Sequence, residues 1–178
     1  MKTKNFFMIA ALLFSSAVFT FSCKSDDDGG DGGGGAGSGV ITAKVDGTNV
    51  TTIELTTTAS NANGNLMILG NDGGQNPNKA FNLTIVGFDG PGTYPVGGGA
   101  NIFNVCSYTE TDASNPSNPT SKVWVAPYDD TQVGEIKISE VTSTFVKGTF
   151  SFKAKDQEGG TIKNLTDGSF NVKFMTLP

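Results

Sequence analysis

The sequence contains no histidine and no arginine. Without imidazole, Ser-His-Asp and Cys-His catalysis, most zinc sites and the commonest general base are excluded. Without arginine, and with 12 lysines against 17 acids for a net charge of −5, the chain lacks the basic patch that phosphate neutralisation demands. Nucleic acid is therefore not an expected partner. Charged residues are only 16% of the 178, below the usual quarter, and there are two cysteines and one tryptophan. What the chain has in quantity is glycine, with 24 residues, and phenylalanine, with 13. The length suggests one domain plus a tail.

One long apolar run exists, Phe6 to Phe21, behind a short basic segment containing Lys2 and Lys4. Its core is short for a membrane span and has the layout of a secretory signal. The run ends Thr20-Phe21-Ser22-Cys23, a small residue and then a cysteine. This resembles a bacterial lipoprotein signal, although Thr20 stands where that family usually has Leu. The resemblance implies cleavage before Cys23, a diacylglycerol on its thiol and an acyl group on the new amine. Several acyl chains together make membrane retention effectively stable. Loss of residues 1–22 removes two lysines, leaving 10 against 17 acids and a charge of −7.

Residues 23–39 then read as the lipidated Cys23 and a tether, KSDDDGGDGGGGAGSG, with nothing apolar enough to fold. Sixteen such residues span roughly 20–24 Å as a coil. Lys24, Ser25, Asp26, Asp27 and Asp28 resemble the surface-export tag of Bacteroidota lipoproteins, a Lys or Ser followed by acids. The expected location is thus the cell envelope, as an outer-membrane lipoprotein exposed at the surface and held through its lipid.

Residues 40–178 form the expected folded domain. Ile41, Ala43 and Val45 alternate with polar residues, as do Phe81, Leu83 and Ile85, Ile136 and Ile138, Phe150, Phe152 and Ala154, and Phe170, Val172 and Phe174. A period of two marks half-buried strands. Strands are expected near 40–46, 49–58, 65–70, 79–88, 101–109, 121–127, 134–141, 145–155 and 168–175, with a bulge at Gly87 where the apolar phase switches. Asp46-Gly47, Asn63-Gly64 and Asp89-Gly90-Pro91-Gly92 supply turns. The fold class is all-β, an antiparallel two-sheet β-sandwich of about nine strands, with a β-barrel as the alternative.

The stretches ITAKVDGT (41–48), FDGPGTYPV (88–96), GEIKIS (134–139), VKGTFSFKA (146–154) and DGSFNVKF (167–174) resemble small Bacteroidota lipoproteins classed as domains of unknown function. The resemblance implies a tethered β domain outside the inner membrane. Its motifs are turn glycines and core positions, so it carries no substrate and no catalytic residue.

The remaining chemistry is sparse. Cys106 lies in an expected strand, and an unpaired cysteine there is a small buried residue without the cationic neighbour that activates a thiol. Carboxylates are scattered: Glu54, Asp72, Glu110, Asp112, the Asp129-Asp130 pair, Glu135, Glu140, Asp156 and Glu158. A hydrolase would need two of them facing across a cleft. No catalytic residue, cofactor or metal site is expected. The candidate ligand platform is aromatic: Trp124, Tyr94 and Tyr108 on one face would stack a sugar or peptide. The expected function is a non-enzymatic binding or envelope-associated module with a glycan or protein ligand. The alternatives are a carbohydrate-binding accessory lipoprotein and, more distantly, a carboxylate-dependent hydrolase.

Overall fold

Alternating apolar residues become antiparallel strands throughout the computed structural model, which describes residues 35–74, 76–99 and 103–175. The expected signal segment, Cys23 and residues 24–34 of the expected tether lie outside the described residues. The strands are β1 (Val40–Val45), β2 (Thr48–Thr51), β3 (Thr58–Ala62), β4 (Asn65–Asn71), β5 (Asn78–Val86), β6 (Gly92–Gly97), β7 (Val105–Asp112), β8 (Thr120–Ala126), β9 (Gln132–Val141), β10 (Phe145–Asp156) and β11 (Ile162–Lys173). One turn of 3-10 helix, Glu54–Thr56, sits between β2 and β3. Among the described residues no helix is long and apolar enough to cross a membrane.

Hydrogen bonding orders the strands β2-β1-β11-β10-β8-β7-β5-β4-β3, and a branch of β9 and β6 leaves from β10. The branch follows from the length of β10: Val146–Phe152 pairs with β9, while Lys155 and Asp156 pair with β8. The sheet curls, so that Phe81 of β5 meets Phe150 of β10 edge to face at 6.1 Å. Ala59 of β3 bridges to Phe174 just beyond β11, which brings the two sides of the curl together. The expected all-β antiparallel class is what forms, and both a sandwich and a barrel are compatible with this curled sheet.

One face of the curl encloses the core. Phe150, Phe152, Phe170 and Val172 are buried and Phe174 packs against them, while Thr149, Ser151 and Lys153 are exposed. On the β10–β11 ladder, Gly148 stands opposite Phe170 and Phe150 opposite Gly168. A Cβ at Gly148 would collide with the Phe170 ring and with the carbonyl of Lys137, and one at Gly168 would collide with Phe150. The glycines leave the room in which the Phe150 and Phe170 rings stack, with centroids 6.3 Å apart. Cross-strand Phe–Gly pairing of this kind pins register.

Local chemistry overrides the apolar pattern at four places. The expected strand 49–58 breaks into β2, the 3-10 turn and β3, because threonine hydroxyls take backbone partners. Thr56 Oγ1 donates to the Asn71 carbonyl at 2.8 Å, and Thr57 Oγ1 can donate to the Ile53 carbonyl or to Thr52 Oγ1, each at 2.7 Å. Gly87 is a turn with φ +71°, not a bulge: the ladder ends at Val86, and the Phe88 amide bonds the Gly64 carbonyl at 2.7 Å. Residues 92–97, outside the expected strands, form β6, an edge strand on β9 whose free side tolerates Pro95. Finally β11 starts at Ile162 instead of 168, so the β10–β11 turn is only 157–161.

Candidate functional site

Three strands leave the core with their inward row changing from apolar to charged. On β7 the row is Cys106, Tyr108, Glu110, Asp112, and on β8 it is Ala126, Trp124, Lys122, Thr120. The register pairs Tyr108 with Trp124 and Glu110 with Lys122. On β10 the row ends Ala154, Asp156. Beyond this rim lies an open groove of about 760 Å³, lined among others by Asn76, Glu110, Asp112, Lys122, Asp156 and Glu158.

Glu110, Asp112, Lys122 and Asp156 on this rim are held by partners. Asp156, only 4% exposed at its side chain, accepts the amides of Glu158 at 3.0 Å and Gly159 at 3.1 Å and pairs with Lys122 at 3.2 Å. Burial alone would raise its carboxyl, but the two amides and Lys122 prevail and hold it below the ordinary value. Glu110 accepts the Tyr108 hydroxyl at 2.9 Å and lies 3.5 Å from Lys163, which also reaches Asp46 at 3.3 Å. Burial, then the Glu110 bond, pushes the Tyr108 phenol up, so it stays a donor at neutral pH. Lys122 and Lys163 lie 5.3 and 5.1 Å from the Trp124 ring centroid, within cation–π range, and Trp124 Nε1 donates to Thr161 Oγ1 at 3.0 Å. Asp112 is held below the ordinary value by the hydroxyl and amide of Ser114.

The aromatic residues expected to form a platform do not share an exposed face. Tyr108 is 0% and Trp124 3% exposed, and their rings meet at 5.9 Å inside the core. They turn inward because their phase on β7 and β8 is that of Cys106 and Ala126. Tyr94 lies on β6 beside Phe88, and its hydroxyl donates to Asp89 Oδ1 at 2.9 Å or the Gly90 carbonyl at 2.7 Å, closing the loop before β6. Cys23, Lys24, Ser25, Asp26, Asp27 and Asp28 lie outside the described residues.

The other residues singled out serve the fold. Cys106 is fully buried, and burial pushes its thiol up, away from thiolate chemistry. Asp129 closes a turn by accepting the Thr131 amide at 2.9 Å and hydroxyl at 2.6 Å, which lowers its pKa. Asp72 Oδ1 accepts the amides of Gly74 and Lys79, both at 2.9 Å. No three metal-ligating side chains gather among the described residues. Lys122 and Lys163 were missed from sequence. The signal that finds them is the strand period continued past the last apolar residue, which has meaning only once the register brings Glu110, Lys122 and Asp156 to one rim.

A family model described as a domain of unknown function, DUF6252, matches residues 37–172. No curated protein and no solved structure is significantly similar to the chain.

Proposed function

The chain belongs to the DUF6252 family, a domain of unknown function, and from that starting point we propose that it is a lipid-anchored envelope module that binds a polar ligand without transforming it. The anchor is read from the Ser22-Cys23 junction and its acidic follow-on, which resemble a lipoprotein signal and a surface-export tag. The observation that carries binding is the groove of about 760 Å³ on whose rim Glu110, Lys122 and Asp156 are held by partners before any ligand arrives. Fixed donors and acceptors lose little freedom on binding, which favours affinity. A glycan held here would be gripped by hydrogen bonds, since the aromatic face that would stack it is buried.

The hydrolase reading draws on one observation, the four carboxylates Glu110, Asp112, Asp156 and Glu158 around the same groove. Such a reaction needs one carboxyl kept protonated as the general acid. Asp112 and Asp156 are both shifted the other way. One screen separates the readings. Envelope glycans and peptides are added to the full chain, and the unfolding midpoint is followed, because a ligand that binds only the folded state stabilises it. A compound that raises the midpoint and is recovered intact supports binding, and its effect should vanish in Lys122→Ala/Glu158→Ala. Recovery of a cleaved compound overturns the non-enzymatic reading.

A further inference from the structure

A second, more apolar groove, of about 460 Å³, lies where the chain joins the domain. Its walls include Ser38, Phe145, Lys173, Phe174 and Met175. The Gly39 amide bonds the Asn171 carbonyl at 2.7 Å, so the chain entering the domain meets the C-terminal end of β11. Lys173 bonds Glu54 at 2.8 Å, and Gly39 packs so close to Glu54 that a Cβ there would collide with it. Beside Glu54 stands Leu55, 93% exposed, and Met175 is 55% exposed. Large apolar side chains thus stand in water at the end of β11 where the tether attaches. The charged groove is at the other end: Asp156 ends β10, and Glu158 and Gly159 belong to the turn that precedes Ile162. Eleven residues of strand separate Ile162 from Lys173, roughly 35 Å.

We propose that the end bearing Leu55, Phe174 and Met175 rests on the lipid bilayer, and that the charged groove therefore faces away from it. The proposal rests on the lipid anchor at Cys23 put forward above. Tether length is the first argument. Fourteen residues lie between Cys23 and Ser38, and a coil of that length would span roughly 20 Å, which would hold this end of the domain within a molecular diameter of the membrane. Charge is the second. The Lys173–Glu54 pair is neutral, whereas at the far end Glu110, Asp112, Asp156 and Glu158 outnumber Lys122 and Lys163, and the surplus negative charge would be repelled by anionic headgroups. Apolar side chains set into the interface then keep the orientation that the tether permits.

The test uses the full chain purified from a lipoprotein-processing bacterium and placed in phosphatidylethanolamine–phosphatidylglycerol vesicles. Single variants Leu55→Cys, Met175→Cys and Ile162→Cys each receive an environment-sensitive fluorophore. Cys106 is fully buried, so the parent chain should stay unlabelled if Cys23 carries lipid. Quenching by a lipid-borne quencher should be about twofold or more stronger at positions 55 and 175 than at 162, as for side chains set into the interface. Equal, weak quenching at all three positions on vesicle-bound protein would overturn the orientation and leave the anchor standing. A blue-shifted but unquenched probe at 55 and 175 would mean that protein, such as a second copy, covers this end, and would also overturn it. Labelling of the parent at Cys23 together with failure to bind vesicles would overturn the anchor, and the orientation with it.

Discussion

Phe152 and Lys153 are neighbours in the chain and face opposite sides of β10. Phe152 is 2% exposed, whereas Lys153 points to solvent. Truncating a buried phenylalanine removes its transfer energy and leaves a cavity, typically about 3–5 kcal/mol. A domain of this size holds roughly 5–15 kcal/mol in all. Phe152→Ala should therefore lower the urea midpoint severely, and Lys153→Ala should change stability by only about 0.5 kcal/mol or less. Equal midpoints would contradict the assignment of faces. At this scale the sequence was readable: the period of two at Phe150, Phe152, Phe170 and Val172 identified four side chains that are indeed buried. It could not tell which way Trp124 points. Trp124 alternates with Val123 and Val125, so either set fits an inward face, and only pairing with Tyr108 decides it.

At the scale of elements, what the sequence concealed was where strands begin and end. β11 starts six residues earlier than its apolar pattern, because Ile162 is exposed and Lys163 turns toward Glu110 and Asp46. Ladder hydrogen bonds carry this stretch, and its one core side chain, Leu165, gives no alternation to read. The turn before it depends on Asp156, whose carboxylate holds the amides of Glu158 and Gly159 and whose own amide bonds the Thr161 carbonyl at 2.9 Å. The Asp156 carboxyl is below its ordinary value when folded, so the unfolded chain takes up the proton first as pH falls. Its contribution is full above the unfolded value of about 3.9 and is lost as pH drops through the lower folded value. Urea midpoints measured from neutral pH down to pH 3 should show the native chain well above Asp156→Asn at neutral pH. The gap should narrow below about pH 4. A gap independent of pH would mean that the carboxylate's charge plays no part in closing the turn. Lys122, Glu110 and Asp156 were legible one by one as polar residues, but the rim they make comes from three strands distant in sequence.

On the scale of the whole molecule, the proposed protein is a lipid anchor, an acidic tether and a β domain with a charged groove. The export reading predicts that replacing Asp26, Asp27 and Asp28 with Ala leaves the protein in the membrane fraction but reduces its cleavage by protease added to intact cells. Unchanged cleavage would mean that these acids serve only as spacer. The proposed placement of the domain, from the reach of the tether to the side that meets lipid, depends on Cys23. The most direct measurement is the intact mass and N-terminal peptide mass of the chain extracted from membranes. The account predicts a mature chain that begins at Cys23 and carries a diacylglycerol and an acyl group. A chain that begins elsewhere, or one that begins at Cys23 with a free thiol, would contradict it.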